Sequence, residues 1–330
     1  MGERRRSMEG VERLGVSLRI VLTGGSSFSG YWFARALTER GHEVVAPLPR
    51  AECGYEGIRL KRVEMLAEAA DVVYDTAVGS DRLLECILAQ DRVDVLCVHH
   101  AVVGDYRSAD FDVASAVRSA TDGARTIADA VATKGGTVAM LTRSIFEAGQ
   151  GVSDDPRAIG LYAVAKSATV GVWLEHVQNS GLARAEFTVP NPFGPYEEPR
   201  LVDFLVKTWA AGSTPTLRAP WWVRDNFPIQ LLAADYAASV ERAAQGTVVR
   251  RVPSHMVASN LEYARRIGDE FALRWEKPCP VGVDTILDTD EPHLRIGIDR
   301  VEWSDHGLDE RKFWDDYASF YAALPAPILG

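Results

Sequence analysis

The feature that most restricts how this chain can fold is a rhythm. Short apolar runs rich in β-formers alternate with helix-length amphipathic stretches up to about residue 190. Leu18 to Thr23 (LRIVLT) reads as a buried strand, Phe28 to Arg40 as a helix stopped by Gly41, and Glu43 to Ala46 as a second strand. Asp71 to Asp75 and Asp94 to Val98 follow as third and fourth strands. Thr137 to Thr142 is a fifth, preceded by a long helical stretch from Ala114 to Ala132. Strands separated by helices pair in parallel rather than as hairpins, and the right-handed crossover rule puts helices on both faces of the sheet. The expected class is therefore α/β with a doubly wound parallel sheet. Beyond residue 190 the rhythm breaks at Pro190, Pro192, Pro195, Pro199, Pro215 and Pro220, which predicts a smaller, mixed C-terminal lobe.

The chain has 330 residues, of which 47% are apolar, enough for a substantial core. Its formal charge of −10 repels polyphosphate backbones, which excludes general nucleic-acid binding but leaves room for one phosphate ligand in a local positive pocket. Four scattered cysteines, Cys53, Cys86, Cys97 and Cys279, form no CxxC pair and have no histidine at metal-ligand spacing. Neither a metal site nor a disulfide framework is signalled, and a reducing compartment fits. The start, MGERRRSMEG, lacks the apolar stretch of a secretion signal, Ser7 is one place late for a myristoylation pattern on Gly2, and Met8 offers an alternative start. With no 18-residue apolar run, the expectation is a cytoplasmic protein without a membrane partner.

Two local patterns carry chemistry. The first, Thr23-Gly24-Gly25-Ser26-Ser27-Phe28-Ser29-Gly30, falls where the first strand becomes the first helix. Free N–H groups and the positive dipole end meet there, so a phosphate can be held. Gly24 permits the tight turn and Gly30 close helix-to-sheet packing, which together predict a dinucleotide site. Glycines at such a turn also serve conformation alone. The second pattern is Tyr162-Ala-Val-Ala-Lys166 on a helical stretch reaching about Gln178. Residues four apart share a face, and an adjacent ammonium lowers a phenol's pKa towards that of a useful base. Taken alone, the pair also fits an ordinary helix surface.

With these motifs in order, the chain resembles an extended short-chain dehydrogenase/reductase of the nucleotide-sugar epimerase and dehydratase kind. The glycine turn is similar to that family's TGxxGxxG loop. Thr142-Arg-Ser-Ile-Phe146 resembles its S/T-x-x-V-Y stretch, twenty residues before the tyrosine of YxxxK. Pro190-Asn191-Pro192-Phe193-Gly194-Pro195 looks like N-x-x-G-P, and Arg224-Asp225-Asn226-Phe227 like R-D-x-F. Glu291-Pro292 and the closing FWDDYASFY also fall where such chains end, so the likeness covers nearly the whole length.

The resemblance implies a Rossmann-type domain over 15–185, to which later segments return, and a substrate-binding lobe over 186–330. It implies that Tyr162 shuttles a sugar hydroxyl proton. Lys166 would lower the phenol's pKa and bond the nicotinamide ribose. Thr142 would donate to the reacting oxygen, with Ser144 as its rival. Gly24, Ser26, Ser27, Phe28 and Gly30 would hold the pyrophosphate of the cofactor, and Asp75 would contact adenine. Arg224 would grip the substrate diphosphate, since a guanidinium matches phosphate oxygens bidentately. Arg295 is a second candidate for that grip, and Asn191 would contact the sugar or its phosphates. Trp221-Trp222 could flank a base or belong to the core of the lobe. A homodimer through the Ala114 to Ala132 and Tyr162 to Gln178 helices is also implied.

Several residues depart from the family pattern. Ser27 stands where the second glycine of the loop is expected. Thr142-Arg143-Ser144 replaces the Thr-Asp-Glu of the 4,6-dehydratases, which removes the acid and base that expel water. Ala120 replaces the asparagine of the N-x-x-G-T helix motif, judged from Gly123. An acidic residue ending the second strand would bind the 2′-hydroxyl of NAD. That place falls at Leu48, with Arg50 close enough to attract a phosphate, so between NAD and NADP the sequence leans to NADP. His99 and His100 end the fourth strand, and at least one is expected to be packed rather than in the cleft. The expected function is epimerisation of a nucleotide-activated sugar at C4 through a keto intermediate. NADPH-dependent reduction of a nucleotide 4-keto sugar is the alternative. A non-catalytic dinucleotide-binding sensor or scaffold is a third reading, opposed by the retention of Tyr162, Lys166 and Thr142.

Overall fold

The computed structural model describes residues 17–102, 104, 108–283 and 293–324. The first half runs β1 (Arg19–Leu22), α1 (Phe28–Glu39), β2 (Glu43–Pro47), α2 (Gly57–Ala69), β3 (Asp71–Val73), α3 (Asp81–Leu88), β4 (Val95–Val98), α4 (Val113–Thr121), α5 (Ala124–Thr133), β5 (Val138–Ser144), β6 (Val152–Ser153), α6 (Gly160–Asn179) and β7 (Ala183–Val189). The second runs β8 (Asn191–Phe193), α7 (Leu201–Ala210), β9 (Thr216–Leu217), β10 (Val223–Pro228), α8 (Ile229–Ala244), β11 (Arg250–Arg251), β12 (Pro253–Ser254), β13 (Met256–Ser259), α9 (Asn260–Trp275), β14 (Gly282–Val283), β15 (Leu294–Ile296), β16 (Asp299–Arg300) and α10 (Glu310–Ala322).

Seven strands form one parallel sheet in the order β11-β7-β5-β4-β1-β2-β3, with helices on both faces. The expected Rossmann-like α/β class is borne out. Strand alternation divides the core in two. Ile20, Leu22, Cys97, Met140 and Phe187 face α1 and α8, where Phe33 stacks on Tyr236 with ring centroids 4.0 Å apart. Val21, Leu96 and Leu141 face the other way, onto Ile87, Ile127 and Trp173 of α3, α5 and α6. Each large side chain so buried contributes roughly 1.5–3 kcal/mol.

A smaller mixed sheet, β13-β10-β15-β6 with β8 also paired to β10, is built largely from the second half. The FWDDYASFY stretch lies in α10, whose Phe313, Trp314 and Tyr317 pack on Phe193. Two expectations need correction. The helix expected from Ala114 to Ala132 is two helices, because Gly123 takes a left-handed conformation (φ 64°) between α4 and α5. The third strand stops at Val73, and Asp75 turns the chain with φ 58°. Gly2, Ser7, Met8 and Glu291-Pro292 lie outside the described residues.

Candidate active site

The turn from β1 into α1 is closed by its own residues. Gly24 has φ 77°, and a Cβ there would lie 2.8 Å from His100 N. A Cβ on Gly30 would strike the Gly24 carbonyl oxygen. Ser27 is the N-cap: its Oγ accepts from Gly30 N at 3.1 Å and donates to Gly24 O at 2.9 Å. The serine in the place of a glycine therefore ties the turn rather than blocking it. Phe28 opens the helix, Ser26 is buried beside it, and the first turn of α1 holds no acidic residue, so the positive end of the dipole is not neutralised. Only the Gly30 N–H is taken by the cap, which leaves donors for an anion. The residues present fit a dinucleotide pyrophosphate.

Lys166 lies in the second turn of α6, buried, with its Nζ donating to His100 O at 3.4 Å. The His100 backbone abuts Gly24, so this one residue stands between the ammonium and the glycine turn. Burial pulls its pKa down to about 8, against the nearby Glu147 carboxylate, which raises it, while Arg143 lowers it further. Tyr162, one turn earlier on the same face, is half-buried with its ring edge-on to Phe111 at 6.4 Å. His99 and His100 are both packed. Burial pushes their pKa values down to about 3 and about 4, so both are neutral.

At the end of β5, Thr142 is buried with its Oγ1 beside the Tyr236 phenol, neither group in a well-aligned hydrogen bond among the described residues. A buried hydroxyl left so costs roughly 1–3 kcal/mol. Ser144 is half-buried and more accessible, its Oγ accepting from Phe146 N at 3.3 Å. Arg143 is spent on Glu186 and on Glu147 Oε2 at 2.8 Å.

Towards the other end of the cleft, Gly25 packs near Leu48, which is fully buried, and no acidic side chain ends β2. Arg50 is exposed, donates to Gly54 O at 3.3 Å and lies over the Tyr55 ring. Asp75 N donates to Arg50 O at 3.1 Å, which brings these two residues together, and the Asp75 carboxylate lies 3.7 Å from Arg82.

In the mixed sheet, Arg224 on β10 and Arg295 on β15 are paired across neighbouring strands. Arg224 is buried, donates to His293 O at 3.1 Å and lies over the Trp222 ring. Arg295 is fully buried and gives one N–H to Arg157 O, while its Nε and Nη1 have no acceptor among the described residues. The carboxylates of Asp155 and Asp154 lie close enough to Arg295 to favour its charged form against burial. Asn191 reaches this strand too, donating to Asn226 Oδ1 at 2.6 Å. Trp221 is exposed. A cleft of about 470 Å³ opens nearby between Leu201, Phe204, Leu217, Arg218 and Asn260.

Two contributors, Glu147 and Arg62, were not singled out from the sequence. Glu147 is fully buried and accepts from Ser144 N at 2.7 Å and Ser167 Oγ at 3.2 Å. Arg62, fully buried, donates to Ser26 O at 3.2 Å and Tyr196 O at 2.8 Å, so it joins the glycine turn to the segment after β8. His100 bridges Thr23 and Ala120. Among the described residues no cluster of metal-ligating side chains occurs, and no helix is long and apolar enough to cross a membrane.

Comparison with known proteins agrees with this architecture. No curated protein matches the chain. UDP-glucuronic acid 4-epimerase from Bacillus cereus superposes with a TM-score of 0.66 at 15% identity, covering 93% of this chain and 100% of that one. UDP-glucose 4-epimerase from Thermotoga maritima gives 0.63 at 16% identity, over 92% and 99%. DesIV, the dTDP-glucose 4,6-dehydratase of Streptomyces venezuelae, gives 0.66 at 15%, over 94% and 100%. Likeness at these identities is one of fold. The pattern of the NAD dependent epimerase/dehydratase family matches residues 20–216. As that span exceeds half of the chain and takes in the glycine turn, Tyr162 and Lys166, the chain belongs to the NAD dependent epimerase/dehydratase family.

Proposed function

We propose that this protein is an NAD(P)-dependent epimerase of a nucleotide-activated sugar, acting at C4 through a keto intermediate. The observation that carries the reading is Lys166, whose ammonium rests on the carbonyl of the residue packed against Gly24. Tyr162, one turn away, takes and returns the proton of the sugar hydroxyl, and the cation keeps its phenol acidic enough to do so. Thr142, with Ser144 as its rival, donates to the oxygen as it gains charge. When bound, the nicotinamide supplies the oxidation and reduction of that carbon. Gly24, Ser26, Ser27, Phe28 and Gly30 hold the pyrophosphate, Lys166 the ribose and Asp75 the adenine. Arg224, Arg295 and Asn191 hold the substrate diphosphate and sugar. The Arg295 Nε and Nη1 groups, which have no acceptor among the described residues, support that role.

The second reading is NADPH-dependent reduction of a nucleotide 4-keto sugar. It is favoured by the buried Leu48, where an acid would select NAD, and by the exposed Arg50 available to a 2′-phosphate. A nicotinamide retained at one per chain through gel filtration supports epimerase, and rapid exchange supports reductase. Thermal shift with UDP-, GDP-, CDP- and dTDP-sugars, each with NAD or NADP, identifies the substrate. Absence of stabilisation by every combination overturns both readings. A homodimer through α4 and α6 fits the stripe of exposed Leu161, Val164, Ala168 and Gly171 along α6. The free cysteines fit a cytoplasmic setting.

A further inference from the structure

His100 has no part in the chemistry proposed above, yet it joins Lys166 to the start of the glycine turn and to the end of α4. Its Nε2 lies 2.8 Å from Ala120 O, its Nδ1 2.9 Å from Thr23 Oγ1, and its carbonyl 3.4 Å from Lys166 Nζ. Ala120 stands in the last turn of α4, where carbonyls lose their helical partners, and its oxygen also accepts from Trp173 Nε1 at 2.9 Å. A carbonyl only accepts, so Nε2 carries the ring proton and Nδ1 is the acceptor; the single Thr23 hydroxyl hydrogen has two acceptors in reach, Nδ1 at 2.9 Å and Cys97 O at 3.2 Å, and the shorter contact assigns it to Nδ1.

We propose that His100, as the neutral Nε2–H tautomer, is a positioning residue for Lys166: its two ring bonds fix the peptide carbonyl that receives the ammonium and tie it to the glycine turn. The proposal rests on the reading of Lys166 as the partner of Tyr162. The groups facing Lys166 are His99 and His100 from the end of β4, Arg143 and Glu147 from β5 and the turn after it, and Tyr162 on its own helix. A charged imidazole in this set would repel the ammonium, and burial keeps both histidines neutral. Without the ring bonds the carbonyl loosens, the ammonium loses a charge-assisted hydrogen bond, and Lys166 gives up its proton more readily.

The test combines NMR with kinetics. In the wild-type protein, 15N spectra are expected to show His100 protonated at Nε2 alone. Titration of 15N-labelled lysine in His100→Phe, which keeps the ring volume and leaves Trp173 on Ala120 O, is expected to show Lys166 deprotonating about one pH unit lower. The acid limb of turnover then moves to higher pH, because Tyr162 has less help from a cation, and kcat falls about tenfold while KM changes less than about twofold. His100→Gln, which again offers an N–H, restores most of the loss. An Nδ1–H tautomer in the wild type, or an unchanged Lys166 titration in His100→Phe, overturns the proposal. Should His100→Phe not fold, the wild-type tautomer decides. A wild-type protein that binds no nicotinamide cofactor sinks the functional reading instead, and the NMR results still decide the role of His100.

Discussion

Lys166 destabilises the fold that holds it. Its pKa of about 8, against an ordinary 10.5, means that the folded state binds fewer protons than the unfolded chain between those values. The burial penalty is therefore fully present below pH 8 and is relieved as pH rises through 10.5, a difference of roughly 3 kcal/mol. Lys166→Met should raise the melting temperature at neutral pH while removing turnover, as calorimetry and a sugar-conversion assay would show. Tyr162→Phe should cut kcat by at least about a hundredfold and leave cofactor affinity nearly unchanged in a fluorescence titration. Loss of cofactor binding in that variant would reassign the phenol to structure. Tyr162, Lys166, Gly24 and Gly30 were legible in the sequence because their partners are near in the chain or set by element boundaries. Arg62 was not, because its charge is matched to Tyr196 and Glu198, 134 and 136 residues away. Glu147 gives no local sign either, since it is a buried acid only because Arg143 and Ser167 meet it in space.

Elements decide where these side chains stand. The parallel sheet was legible because a strand buried on both faces reads as a continuous apolar run, as Ile20, Val21 and Leu22 do. The break between α4 and α5 was not, because one glycine in an otherwise helical pattern looks tolerable; here Gly123 packs against Gly79, and a Cβ would come within 3.0 Å of Gly79 Cα. Gly30→Ala should open the turn between β1 and α1, raise the dissociation constant of the dinucleotide at least about tenfold, and leave most of the sheet folded by circular dichroism. Unchanged affinity would take the turn out of the cofactor site. The register of β10 and β15 gives a prediction of opposite kind. A buried guanidinium whose N–H groups lack acceptors bears a desolvation cost that nothing repays, and an apolar side chain of similar length avoids it. Arg295→Met should then leave the unliganded protein at least as stable and raise KM for the nucleotide sugar about tenfold or more. A destabilised variant with unaltered KM would make Arg295 a structural residue.

Across the whole molecule, a half-buried carboxylate and a buried ammonium shape stability against pH. Glu197, in the segment after β8, receives hydrogen bonds from Tyr317 and Tyr321 of α10. Burial pushes its pKa from 4.5 up to about 7, although both phenols pull it down. For a carboxylate raised in the folded state, the favourable protonated form is complete below pH 4.5 and is lost as pH climbs through 7. The loss reaches at most about 3 kcal/mol, less the share screened at a half-buried side chain. Glu241, held down to about 2 mainly by His42 and Arg40 against burial, acts in the opposite sense, with stability lost only below 4.5. Lys166 begins to recover stability only above pH 8. Between about pH 7 and 8 both groups are charged together, so the melting temperature should pass through a local minimum there, a few degrees deep at roughly 2 °C per kcal/mol. Glu197→Gln should flatten the acid side of that trough, Lys166→Met the alkaline side, and the double variant should remove it. A wild-type melting temperature with its maximum between pH 7 and 8 would show that neither charge is as buried as its neighbours in the fold require.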